Sequence, residues 1–141
     1  MKANELMIGD WVSLEGTPAK TRGVEIYCSD LYVQTNLTDA WYMYNFEPIP
    51  LTPEILEKNG FDVVRGNRIM GLQVSDRCTL RIGEGMEEMR VEMQNWGETE
   101  ERKWFIEIRN LGSIILQLYI GYTHELQHVL RLCKIEKEIV L

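Results

Sequence analysis

Two prolines in three residues, Glu47-Pro48-Ile49-Pro50, followed at once by Leu51-Thr52-Pro53-Glu54, constrain the fold of this chain more than any other feature. Proline lacks the amide that sheet pairing needs and sits poorly inside a regular strand. The segment therefore predicts an end to regular pairing and a boundary near residue 50. The residues just beyond it read as a helix start, with Thr52 as N-cap, Pro53 at the first helical position, Glu54 beside the positive helix end and Leu51 stapled to Leu56. Asn59-Gly60 predicts its end.

Before this boundary the chain reads as short strands. Asn4 caps a helical turn through Glu5-Leu6-Met7, and Ile8-Gly9-Asp10-Trp11-Val12 then enters a first strand by way of a glycine turn. Gly23 to Tyr27, Leu31 to Thr35 and Ala40 to Phe46 come next, rich in β-branched and aromatic residues, with turn chemistry at Ser29-Asp30 and Asn36 to Asp39. A glycine-aspartate entry followed by four short strands resembles SH3-like barrels, an architecture that hosts many functions. Beyond the helix the pattern becomes a meander. Strands are expected over Arg68 to Val74 and Thr79 to Ile82, and Met89, Val91 and Met93 alternate with polar residues. Trp104, Ile106 and Ile108 supply a partner strand across the loop Asn95 to Arg102, and Ile114 to Ile120 forms the last strand. A helix capped by Thr123 closes the pattern. The expected fold is α+β: an SH3-like barrel over residues 1–50, then over 51–141 a helix and an antiparallel meander covered by the C-terminal helix.

At 141 residues the chain fits one ordinary domain, or two small subdomains sharing a core. A formal net charge of -7 without a basic stripe argues against nucleic-acid binding. With no hydrophobic leader, and no apolar run long enough to span a bilayer, the chain is expected in the cytoplasm and off the membrane. Cys28, Cys78 and Cys133 are widely spaced and read as reduced thiols. Gly83-Glu84-Gly85 lacks the following glycine and helix of a phosphate loop and reads as a turn.

The string His124-Glu125-Leu126-Gln127-His128 has the H-E-x-x-H form that on a helix sets two zinc ligands one turn apart with a glutamate to activate water. Its surroundings argue against a metal. The position six residues after His128 is Lys134, and the thirteen residues after His128 offer Glu136 and Glu138 with almost no chain for a return helix. At about 100° per residue, Leu126, Val129, Leu130 and Cys133 form the core stripe, which leaves His124 and His128 facing solvent or a partner. No catalytic residue, metal or cofactor is expected. The alternative is a zinc-dependent hydrolase with His124 and His128 as ligands and Glu125 as general base.

Ala40 to Phe46 is apolar on both sides. Trp41 and Met43 share one face and Tyr42, Tyr44 and Phe46 the other, so one face needs a cover from the second half of the chain, a protein partner or a second copy. Trp41, Tyr42, Tyr44 and Phe46 are the candidate interaction surface.

Three segments, Met1 to Gly9, Glu47 to Thr52 with its helix through Phe61, and His124 to His128, together resemble a family of small uncharacterised proteins of Bacteroides-type gut bacteria and their phages and mobile elements. In that family the last segment resembles H-x-L-Q-N, so the resemblance implies asparagine where this chain has His128. This chain also departs from it in a longer middle, Asp62 to Gly121, and in the tail Lys134 to Leu141. The resemblance implies a shared fold and genomic context and brings no activity or catalytic residue. The expected role is that of an accessory, non-enzymatic protein-binding module.

Overall fold

Alternation of inward and outward side chains builds the first sheet. In the computed structural model, which describes residues 6–27, 30–43, 46–66, 68–69, 72–73, 75–85, 88–95 and 103–141, β1 (Trp11–Leu14), β2 (Thr17–Tyr27), β3 (Asp30–Thr35), β4 (Thr38–Tyr42) and β5 (Phe46–Pro48) form an antiparallel sheet. The strand order is β4-β3-β2-β1-β5. Leu6, Val12, Leu31 and Val33 are the buried cluster on its inner face, with Val24 and Phe46 packed against them. β4 and β5 remain its edges, so the sheet is open where a closed barrel was expected.

The expected strand over Ala40 to Phe46 is divided between β4 and β5. Pro48, expected to stop pairing, lies inside β5 opposite Val12. An edge position tolerates it, because a proline there owes no amide to an outer neighbour. Of the expected helical turn near Asn4, residues 4 and 5 lie outside the described residues, and Leu6 and Met7 are not helical.

Contacts divide the chain into two compact units: Met1–Pro50 with Tyr122–Ile139, and Leu51–Gly121 with Val140–Leu141. The C-terminal helix, expected over the meander, is therefore part of the first unit. There it contacts β1. This helix, α2 (Thr123–Leu132), ends in a paired reverse turn. Lys134 N–H donates to the Arg131 carbonyl at 3.0 Å and Ile135 N–H to the Leu130 carbonyl at 2.8 Å. Such a turn needs a left-handed residue, usually glycine, and here it is Lys134 at φ 58°. Lys134→Gly is expected to raise stability by about 1 kcal/mol by removing the Cβ penalty. Denaturant unfolding checks this, and a clear loss of stability would contradict it.

In the second unit, α1 (Pro53–Lys58) begins as its residues predict: Thr52 accepts from the Ile55 amide and Pro53 opens the helix. It ends with the same double bond as α2, this time around Gly60 at φ 85°. Phe61 N–H donates to Leu56 and Gly60 N–H to Glu57, both at 3.1 Å. β6 (Asp62–Val64) comes next, then the two-stranded ribbon β7 (Arg68–Ile69) and β8 (Leu72–Gln73), then β9 (Asp76–Ile82), β10 (Met89–Asn95), β11 (Trp104–Asn110) and β12 (Ser113–Ile120). The large antiparallel sheet has the order β12-β11-β10-β9-β6. The expected pairing of β10 with β11 is present, Met93 opposite Ile106 and Val91 opposite Ile108. Leu51, Leu56, Phe61, Cys78, Leu80, Val91, Met93, Trp104, Ile106, Ile108 and Ile120 are its buried apolar residues. β6 was not expected from the sequence, because a three-residue strand is too short to show alternation.

Burial pushes the Cys78 thiol up to about 12. The thiolate is the reactive form, so Cys78 is expected to be inert at neutral pH. In a variant with serine at positions 28 and 133, labelling by a thiol reagent should track unfolding. Rapid labelling of the folded protein would contradict the buried placement.

Candidate functional site

The turn ahead of β1 places a carboxylate in the interior of the first unit. Met7 N–H donates to Asp10 Oδ2 at 2.7 Å, Asp10 N–H donates back to the Met7 carbonyl at 3.1 Å, and Thr21 Oγ1 donates to that carbonyl at 2.6 Å. Gly9 closes this turn at φ 93°, a conformation that favours glycine. An added Cβ at Gly9 would also meet Arg131 Nη2 at 3.1 Å. The result is a fully buried Asp10. A buried carboxylate is costly unless charge and hydrogen bonds compensate it, and α2 supplies both. His128 Nε2 lies 2.7 Å from Asp10 Oδ2, and Arg131 Nη1 lies 3.5 Å from Oδ1. The contact pairs an imidazole nitrogen with a carboxylate oxygen, two groups that can share one hydrogen bond.

This arrangement reassigns the H-E-x-x-H string. His124 and His128, expected to face solvent or a partner, are engaged within the first unit: His124 is 2% exposed and stacks on Tyr122 with ring centroids 5.9 Å apart, and the half-buried His128 turns to Asp10. Glu125, the alternative general base, accepts the Tyr122 amide at 3.0 Å, the reciprocal half of a helix-start box. Tyr122, not Thr123, is the capping position. Among the described residues no group of three histidine, cysteine, aspartate or glutamate side chains converges to hold a metal.

The expectation failed because α2 is buried on more than one side. Gln127 grips the returning tail, donating from Nε2 to the Lys137 carbonyl at 3.0 Å and accepting Ile139 N–H at 2.8 Å. Trp11 Nε1 donates to the Ile139 carbonyl at 2.8 Å. In the second unit Asn59 holds Val140 by both its amide and its carbonyl, each at 2.8 Å. Single-stripe periodicity has no means of seeing polar residues buried by such tail contacts. A legible signal was present in the Ile8-Gly9-Asp10 turn, though not its partner.

The candidate interaction residues separate. Tyr42 pairs across from the fully buried Val33, and Phe46 packs on the inner cluster, so both serve the inner side of the sheet. Tyr44 lies outside the described residues. Trp41 is 46% exposed on the outer side. Register places Gly23, Gln34 and Trp41 in one row across β2, β3 and β4. The indole reaches over Gly23, where an added Cβ would come within 2.7 Å of its ring. Gln34 is held by its Nε2–H to the Asp39 carbonyl at 2.6 Å. Alternation puts the half-buried Tyr32 and the exposed Tyr27 on the same outer side. Glycine is thus the residue that leaves room for the indole in this row of the sheet.

The chain matches no protein-family model, no curated protein and no solved structure. Among the described residues, no helix is long and apolar enough to cross a membrane.

Proposed function

We propose that this is a cytoplasmic, non-enzymatic protein-binding module that contacts its partner through the outer side of the N-terminal sheet, with Trp41 as the anchor. The carrying observation is the exposed indole seated on Gly23 in one row with Gln34. A large aromatic with a fixed seat gives contact area at little entropic cost, which is why tryptophan and tyrosine dominate binding hot spots. Two further features support the reading. The H-E-x-x-H residues are engaged in holding α2 and Asp10, so the best catalytic string has a structural use. The strand order, a meander from β1 to β4 with β5 returning beside β1, is also the order of SH3-like small barrels, a fold often used for recognition. The accessory role in a phage or mobile element rests on the resemblance of residues 1–9, 47–61 and 124–128.

The test uses a photo-crosslinking residue at Gln34, in the intact chain, expressed in a gut bacterium of the resembling type. A discrete crosslinked partner, lost on Trp41→Ala while the melting temperature holds, is the expected result. Crosslinking that ignores Trp41→Ala, or none at all, removes this surface from consideration.

A further inference from the structure

Sheet edges expose unpaired backbone groups, and folded proteins usually blunt them with short strands, charges or proline. Three of the four edges in the two large sheets follow that rule. β5 has three residues and contains Pro48, β6 has three and contains Asp62, and β4 carries Asp39. β12 is less guarded: its eight residues, Ser113-Ile114-Ile115-Leu116-Gln117-Leu118-Tyr119-Ile120, contain neither charge nor proline, and its one irregularity is a register shift that skips Ile115 near its start, leaving Leu116 to Ile120 in regular pairing with β11. Among the described residues no strand pairs with its outer edge. Ile114, Ile115 and Tyr119 are exposed.

The hairpin leading into β12 adds an independent anomaly. Leu111 and Gly112 form its turn with φ of 52° and 79°, the geometry that normally selects asparagine followed by glycine. A leucine there is strained and, at 61% exposure, gains little from burial. Both features make sense if this hairpin is covered in the working protein.

We propose that β12 pairs antiparallel with β12 of a second copy, across a two-fold axis, joining two five-stranded sheets into one of ten. Charge favours the same chain as occupant. A two-fold pairing sets each residue near its own kind, which like charges oppose, and β12 has none. The charges beside it are already compensated within the protomer. Glu107, opposite Gln117, accepts from Gln117 Nε2 at 2.6 Å and from Arg109 Nε at 2.5 Å. These bonds, Gln117 first and Arg109 next, hold the Glu107 carboxyl below its ordinary range. Pairing through one strand covers less than a standard interface, so the dimer should dissociate on dilution.

Sedimentation of the intact chain across a concentration series tests this. The expected result is a shift from the 16.5 kDa monomer to a dimer, abolished by Ile115→Lys, which sets two like charges near one another at an exposed position. Hydrogen exchange on the unmodified protein supplies a readout free of any folding defect in the variant: protection along residues 113–120 should rise with concentration. A monomer at every concentration overturns the proposal. So does an open-ended aggregate, or a dimer whose β12 protection does not depend on concentration.

Discussion

Trp104→Ala is expected to cost roughly 3 to 5 kcal/mol, the range for emptying a fully buried aromatic site. Trp104 is fully buried, sits opposite Asn95 on β10 and Ile120 on β12, and donates from Nε1 to the Leu51 carbonyl at 3.3 Å. Truncation therefore removes core volume and a hydrogen bond together. Trp104→Phe separates the two, keeping most of the volume while leaving the Leu51 carbonyl without its donor, and should cost about 1 to 2 kcal/mol more than its volume loss alone. Trp41→Ala is the internal control, since its ring is half in water. Denaturant unfolding should rank Trp104→Ala far below the parent and Trp41→Ala near it. Equal effects would contradict the assignment of one tryptophan to the core and the other to the surface.

Breaking the Asp10 network should come next in size. His128→Ala leaves a fully buried carboxylate with the Met7 amide and a more distant Arg131. Loss of a partner from a buried pair costs about 3 to 5 kcal/mol when nothing else remains, so the surviving contacts reduce the expected cost to roughly 2 to 3 kcal/mol. Asp10→Ala leaves the Met7 amide without its acceptor and should cost about 1 to 3 kcal/mol. The double variant should then be less damaged than the two single costs together, because removing the carboxylate takes away the charge that needed His128. A coupling energy above about 1 kcal/mol in that cycle is the expected outcome. Strict additivity would show that the two side chains do not act as a pair.

The proposed binding surface on one sheet and the proposed self-pairing edge on the other are independent of one another. Trp41→Ala and Ile115→Lys should therefore separate partner capture from dimer formation. Each variant is expected to leave the other property unchanged.

Much of the local structure was legible because it depends on neighbours in sequence. Thr52, Pro53, Glu54 and Asn59-Gly60 specify α1 through caps, proline geometry and a left-handed turn, all satisfied within a few residues of backbone. The alternation of Val91 and Met93 with Ile106 and Ile108 likewise specifies a pair of half-buried strands. Tertiary structure decided what periodicity has no access to. It set Asp10 against His128 across 118 positions of sequence, folded the tail back onto Gln127, and assigned α2 to the first unit. It also split Ala40 to Phe46, so that Trp41 faces out and Phe46 in. A two-residue or four-residue repeat reports which side of an element is apolar. Which polar groups that element must satisfy depends on the distant chain that comes to rest against it.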